Sequence, residues 1–211
     1  MNESEKQFFD FSLPGTVSGH HTKIERVNVE EELRPENDLE KQLLKAPAFV
    51  RGLHWGVPRY GHPEGEIYKH VREVLDNVDK LNVTPEARRK LRLVSFSHDT
   101  FKYLEDKSMP RDWTRHHGIL ARRFMEKYID DQVLLDIIEY HDEAYFSWRC
   151  IHLFHQTTEG TRRLNNLMSR LGDDLQLYYL FFKCDTLTGD KNLAPIAWFE
   201  TIVKDIDIVE F

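Results

Sequence analysis

From Leu39 onward, apolar side chains recur every three or four positions, the period of helices that each bury one face. Leu39, Leu43 and Leu44 begin the pattern, and Ile67, Val71, Val74, Leu75 and Val78 continue it. Thr84 followed by Pro85 supplies an N-cap and a first helical residue for a helix running through Leu91 and Val94 towards Asp99. Asp112 is placed to cap a helix carrying Ile119, Phe124 and Met125, and Asp130 or Asp131 one carrying Leu134, Ile137, Ile138 and His141. Thr157 or Thr158 opens a helix that ends at Gly172, and Asp173 opens one through Leu177, Leu180 and Phe181 to Asp185. Pro195 begins a last helix with Ile196, Phe199 and Val203. No alternating strand or Asn-Gly hairpin interrupts this pattern, so the expected class is all-α, a bundle of about seven or eight helices. Residues 1–35 lack periodicity and are broken by Pro14, Gly15 and Gly19, which predicts a polar N-terminal arm ahead of a single domain over 36–211.

The 211 residues fit one domain with an extension. No run approaches 18 apolar residues and the first residues lack a basic stretch followed by an apolar one, so neither a membrane span nor a secretory leader is expected. Two cysteines, Cys150 and Cys184, make no disulfide framework and fit a reducing cytoplasm. Lys and Arg number 29 against 36 Asp and Glu, and the resulting charge of −7 argues against duplex DNA as a partner. Small phosphate esters stay compatible, because a bound divalent ion reverses the field inside a cleft.

Histidine is the unusual residue, with 11 copies. His98 and Asp99 are adjacent, but so are His141 and Asp142, and about one such pair is expected by chance, so the dipeptide alone carries little weight. Position carries more. His98 and Asp99 close an apolar helix, where both side chains point from a core wall into a cleft. His70 shares the buried side of its helix with Ile67, Val71 and Val74, where a hydrogen-bonded core histidine is the commoner case. Glu66, one turn earlier, is placed to orient its second ring nitrogen. His117 opens the apolar part of another helix, and His141 ends the face carrying Leu134, Ile137 and Ile138. Asp185 follows a strongly apolar run, where an unpaired charge would be costly and a cation is one remedy. Imidazoles combined with carboxylates suit Fe, Mn, Co or Zn better than Mg or Ca.

The ordered set His70, His98-Asp99, His117, His141, Asp185 resembles the HD-domain superfamily of metal-dependent phosphohydrolases over roughly residues 60–190. The resemblance implies a helical core in which His70, His98, Asp99 and Asp185 bind one divalent metal, while His117 and His141 complete a second site bridged by Asp99. His116 competes with His117, and the glycine after His117 matches the family's His-Gly form. His-Asp-Thr-Phe-Lys resembles the family's HDxGK stretch, which assigns Lys102 to the substrate phosphate or another anion. Phe101 replaces the usual glycine there, so an altered turn or a narrowed pocket is expected. The segment from Gly160 to Asp190 also resembles the end of the HD domain attached to bacterial tRNA nucleotidyltransferases, although the nucleotidyl-transfer domain is absent.

The implied activity is hydrolysis of a phosphate ester, of a nucleotide or similar small molecule, by metal-activated water, with Asp99 and Lys102 as catalytic residues. The alternatives are a di-iron oxygenase on the same six ligands and a non-catalytic protein that binds metal and nucleotide. Arg162 and Arg163 are further candidates to contact phosphate, or else a solvated face. Trp55, Tyr60, Tyr145 and Trp148 flank the motif segments and are candidates to stack a base or to fill the core. A monomer and a homodimer are both compatible with the sequence. There is no GxxxxGK loop and no GxGxxG fingerprint.

Overall fold

The computed structural model describes residues 27–210. Among them there is no strand, only an isolated antiparallel bridge between Arg59 and His62, so the fold is all-α. Three short helices come first: α1 (Val29–Leu33), α2 (Asp38–Leu43) and α3 (Pro47–Leu53). Eight helices of nine or more residues follow: α4 (Ile67–Val78), α5 (Pro85–Ser97), α6 (His117–Met125), α7 (Gln132–Tyr140), α8 (Glu143–His152), α9 (Thr157–Leu171), α10 (Leu175–Thr186) and α11 (Ala194–Ile202). No helix among the described residues is long and apolar enough to cross a membrane.

The caps explain most of the boundaries. Thr84 accepts a hydrogen bond from the Ala87 amide at the start of α5, and Asp131 accepts one from Leu134 at the start of α7. Gly172 ends α9 at positive φ, where a side chain would be strained. Asp112 departs from expectation: it caps the 3-10 turn Trp113–Arg115, and the His116 imidazole caps α6 by accepting from the Gly118 amide. The start of the packed chain also departs from expectation. Residues 1–26 of the expected arm lie outside the described residues, but Val29 and Leu33 are buried and α1 packs on α4, so the packed chain begins before residue 36. One five-residue helix shows only two buried positions, too few to display a period.

Helix α10 is the centre of the bundle. Leu175, Tyr178, Tyr179, Leu180, Phe181, Phe182 and Cys184 are all buried, so it is apolar on nearly every side and packs against α4, α5, α9 and α11. Helix α4 turns Val71, Val74, Leu75 and Val78 inward and keeps Lys69 and Asp76 in solvent. Helices α6 and α7 pack as one pair and α8 and α9 as another, and α7 also packs on α5. Two glycines permit close crossings near the site. A Cβ on Gly52 would fall 1.8 Å from the Thr100 carbonyl oxygen, and one on Gly118 2.4 Å from that of Glu139.

Candidate metal centre

Five helices deliver the candidate residues to one buried point. His70 sits in the middle of α4, His98 caps the C-terminal end of α5 with Asp99 just beyond, His117 opens α6, His141 caps the end of α7, and Asp185 lies in the last turn of α10. All four histidines and Asp99 are at most 3% exposed. The structure therefore brings together all six residues singled out from the sequence.

Asp99 divides them into two sets. Its Oδ2 lies 3.7 Å from His70 Nε2 and 3.6 Å from His98 Nε2, while its Oδ1 lies 3.3 Å from His117 Nε2 and 3.5 Å from His141 Nε2. Within the first set the two imidazole nitrogens are 3.2 Å apart, and Asp185 Oδ1 is 2.9 Å from His70 and 3.6 Å from His98. Within the second, His117 and His141 are 3.1 Å apart through Nε2. Two imidazole lone pairs cannot face each other at such distances without a proton or a cation between them. Asp99 Oδ1 is buried without a hydrogen-bond partner, a cost that a cation removes. The groups His70-His98-Asp99 and Asp99-His117-His141 can each hold a metal ion.

The far sides of the rings aim the donors. His98 Nδ1 donates to the Ser95 carbonyl and His141 Nδ1 to that of Ile138, three residues back on each helix, which leaves both Nε2 lone pairs pointing inward. The Thr188 hydroxyl donates to the Asp185 carbonyl, so its free lone pair faces His70 Nδ1 at 3.4 Å. Glu64 also faces that nitrogen, at 3.6 Å. Glu66, expected in this place, instead faces His54 and Lys69, because it precedes the first turn of α4 and points away from the ring. Glu105, gripped by Arg111, stands 3.4 Å from His117 Nδ1. His116 accepts the Gly118 amide at its Nδ1 on the cap of α6, whereas His117 is the one of the two adjacent histidines whose Nε2 faces Asp99 and His141.

Charge is distributed unevenly over the two sets. Burial and nearby Lys191 pull His70 down to about 4 despite Asp185 and Asp99, so its ring is neutral. Burial lowers His117 as well, but Asp142, Asp99 and Glu105 outweigh it and raise the ring to about 10. Burial opposes ionisation of Asp99, yet Lys102 and the surrounding imidazoles hold it well below the usual carboxylate range; Lys191 and His70 do the same for Asp185.

A cavity of about 330 Å³ opens onto Asp99, His141, Asp142 and Asp185, with the cations Arg59, Lys102 and Lys191 on its walls. Lys102 Nζ is 2.5 Å from Asp99 Oδ2, and Lys191 Nζ is 2.9 Å from Asp185 Oδ1. Tyr60 and Tyr145 line this cavity, whereas Trp148 is buried and Trp55 packs against the core. Phe101 neither narrows the pocket nor lines it: its ring packs on Phe49 and Phe124 in the core. Arg162 is exposed and paired with Glu159, and Arg163 pairs with Glu143 beside Trp113 and Phe146. Both line a neighbouring cavity, away from Lys102.

Sequence reasoning passed over Asp142, Glu64, Glu105 and Lys191. The second His-Asp pair was the one available signal for Asp142, whose Oδ2 lies 3.3 Å from His117 Nε2 and 3.5 Å from His141 Nε2. The other three lie in loops between helices, where no period marks a face. No protein-family model, curated protein or solved structure matches the chain.

Proposed function

We propose that the protein is a metal-dependent phosphohydrolase that cleaves a phosphate ester of a nucleotide or another small molecule, in keeping with the resemblance to HD-domain hydrolases. The observation that carries this reading is Asp99, whose two oxygens each face a separate imidazole pair at the floor of a cavity with three cationic side chains on its walls. His70, His98, Asp99 and Asp185 would hold one divalent ion of Fe, Mn, Co or Zn, and His117 and His141 a second, with Asp99 shared. Bound there, such ions supply an acidified water and draw charge from phosphoryl oxygens.

The chain's own groups do the rest. Arg59, Lys102 and Lys191 offset Asp99, Asp142 and Asp185 on the cavity lining, so an anion meets less repulsion there than the net charge of −7 implies. Lys102, fixed against Asp99, places an ammonium where negative charge grows on the phosphate during displacement. Asp99, shared between the two sets, orients the attacking water. The burial of the histidines excludes bulk water behind the reacting groups.

The test is phosphate release from a panel of nucleotides and simple phosphate monoesters, with Mn²⁺ or Co²⁺ added to metal-free protein. Release that needs the metal and disappears in Asp99→Ala is the expected result. No release across the panel, together with O₂ consumption by the iron-loaded protein, would replace hydrolysis with oxygenase chemistry on the same residues.

A further inference from the structure

We infer that Asp142 is a fourth donor of the second cation set, so that the centre consists of two matched sets, each of two imidazoles and two carboxylates, joined at Asp99. The inference rests on the proposal that His117, His141 and Asp99 hold an ion, and it adds a ligand that neither the ordered motif nor the resemblance supplies. In the first set Asp185 stands 2.9 and 3.6 Å from the two imidazole nitrogens. In the second, Asp142 stands 3.3 and 3.5 Å from its two. A tetrahedral ion with bonds of about 2.0–2.1 Å needs donors about 3.3 Å apart along each edge. Five of the six edges of the second set, at 3.1, 3.3, 3.3, 3.5 and 3.5 Å, cluster around that length.

The backbone supports a ligand role over a merely local one. Asp142 occupies the N-cap of α8, a position where aspartate ordinarily accepts a hydrogen bond from the second or third amide of the helix, yet its carboxylate makes no such bond. The Ala144 amide donates instead to the Tyr178 hydroxyl, which reaches across from α10. Tyr178 thus takes over the capping task, and the carboxylate turns towards the imidazoles. His116 completes the arrangement from behind. Its Nδ1 accepts from the Gly118 amide, so in the neutral ring Nε2 carries the hydrogen, and that atom faces Asp142 Oδ2 at 3.6 Å. Asp142 also borders the same cavity as Asp99 and Asp185, open to an entering ion.

The experiment counts Co²⁺ by mass spectrometry and measures its affinity in the full chain, comparing wild type with Asp142→Asn and Asp185→Asn. Wild type should take up two ions. Asp142→Asn should keep the first ion at wild-type affinity, which also reports that the fold survives, and bind the second at least tenfold more weakly. Asp185→Asn should show the mirror image. Asp142→Asn with two ions at wild-type affinity, or a wild type that accepts only one, would overturn the inference. Carbodiimide labelling of the wild type gives an answer that needs no variant: modification of Asp142 should fall with the second equivalent of Co²⁺, and labelling unaffected by that equivalent would count against the role. Two ions bound with no phosphate released would sink the hydrolase proposal and leave this one standing.

Discussion

At neutral pH His70 and His117 differ by a proton, and uptake of metal must reflect it. His70, lowered to about 4 by burial and Lys191, offers its lone pair at no cost in protons above about pH 5. His117 is raised to about 10: burial opposes the charge, but Asp142, Asp99 and Glu105 prevail, so the metal-free ring is an imidazolium until an ion expels its proton. Below that pKa, affinity at the second set should rise about tenfold per pH unit between pH 6 and 9, with no contribution of this kind from His70 at the first. Calorimetry in two buffers of different ionisation enthalpy should detect about one proton released with the second equivalent of Co²⁺ from His117. A second equivalent that releases none would contradict the charged ring. Lys102 makes a separate prediction at this scale. Its ammonium touches Asp99 but belongs to no imidazole set, so Lys102→Met should keep the ions while phosphate release falls about 10²-fold. Unchanged kinetics with both ions bound would remove Lys102 from the chemistry.

Helices hold these atoms in place through a few buried contacts that hydrophobic periodicity does not reveal. Arg92 is fully buried on α5, where its guanidinium donates to both carboxylate oxygens of Glu40 at 3.0 and 2.8 Å and to the Arg34 carbonyl at 3.1 Å. This pair ties α2 to α5, the helix that ends in His98. Arg92→Met would leave the Glu40 carboxylate buried and uncompensated, and should cost about 3–5 kcal/mol in urea unfolding at constant m-value. A loss below about 1 kcal/mol would mean that Glu40 escapes to water. The apolar stripes of α4, α5, α7 and α10 were legible because each buries at least two turns on one face, and the caps at Thr84 and Asp131 were legible because they act within three residues. The separate helices α1, α3 and α8 were not. The first two are five and seven residues long, and α8 follows α7 with only His141 and Asp142 between them.

On the scale of the whole molecule, three carboxylates, Asp99, Asp142 and Asp185, converge on one cavity, and Lys102, Lys191 and the His117 ring offset them. The histidines and two of those acids were readable because each rides, or directly follows, a helix whose apolar face declares its direction. Asp142 lies at a corner whose geometry depends on a hydroxyl 36 residues further along the chain, at Tyr178, and no local pattern encodes that. Folding therefore assembles a set of donors that the extended chain does not possess, and a cation that binds the set must favour the folded state. At a hundredfold excess over its dissociation constant, one bound ion adds about 2.7 kcal/mol. For a chain of this length each kcal/mol raises the melting temperature by about 2–4 °C, so each ion should raise it by roughly 5–10 °C. Scanning calorimetry of metal-free protein against protein titrated with Co²⁺ should show the rise, a chelator should reverse it, and Asp99→Ala should abolish it. A melting temperature indifferent to Co²⁺ would mean that the folded arrangement holds the ion no better than the unfolded chain does, and the buried imidazoles would then serve packing alone.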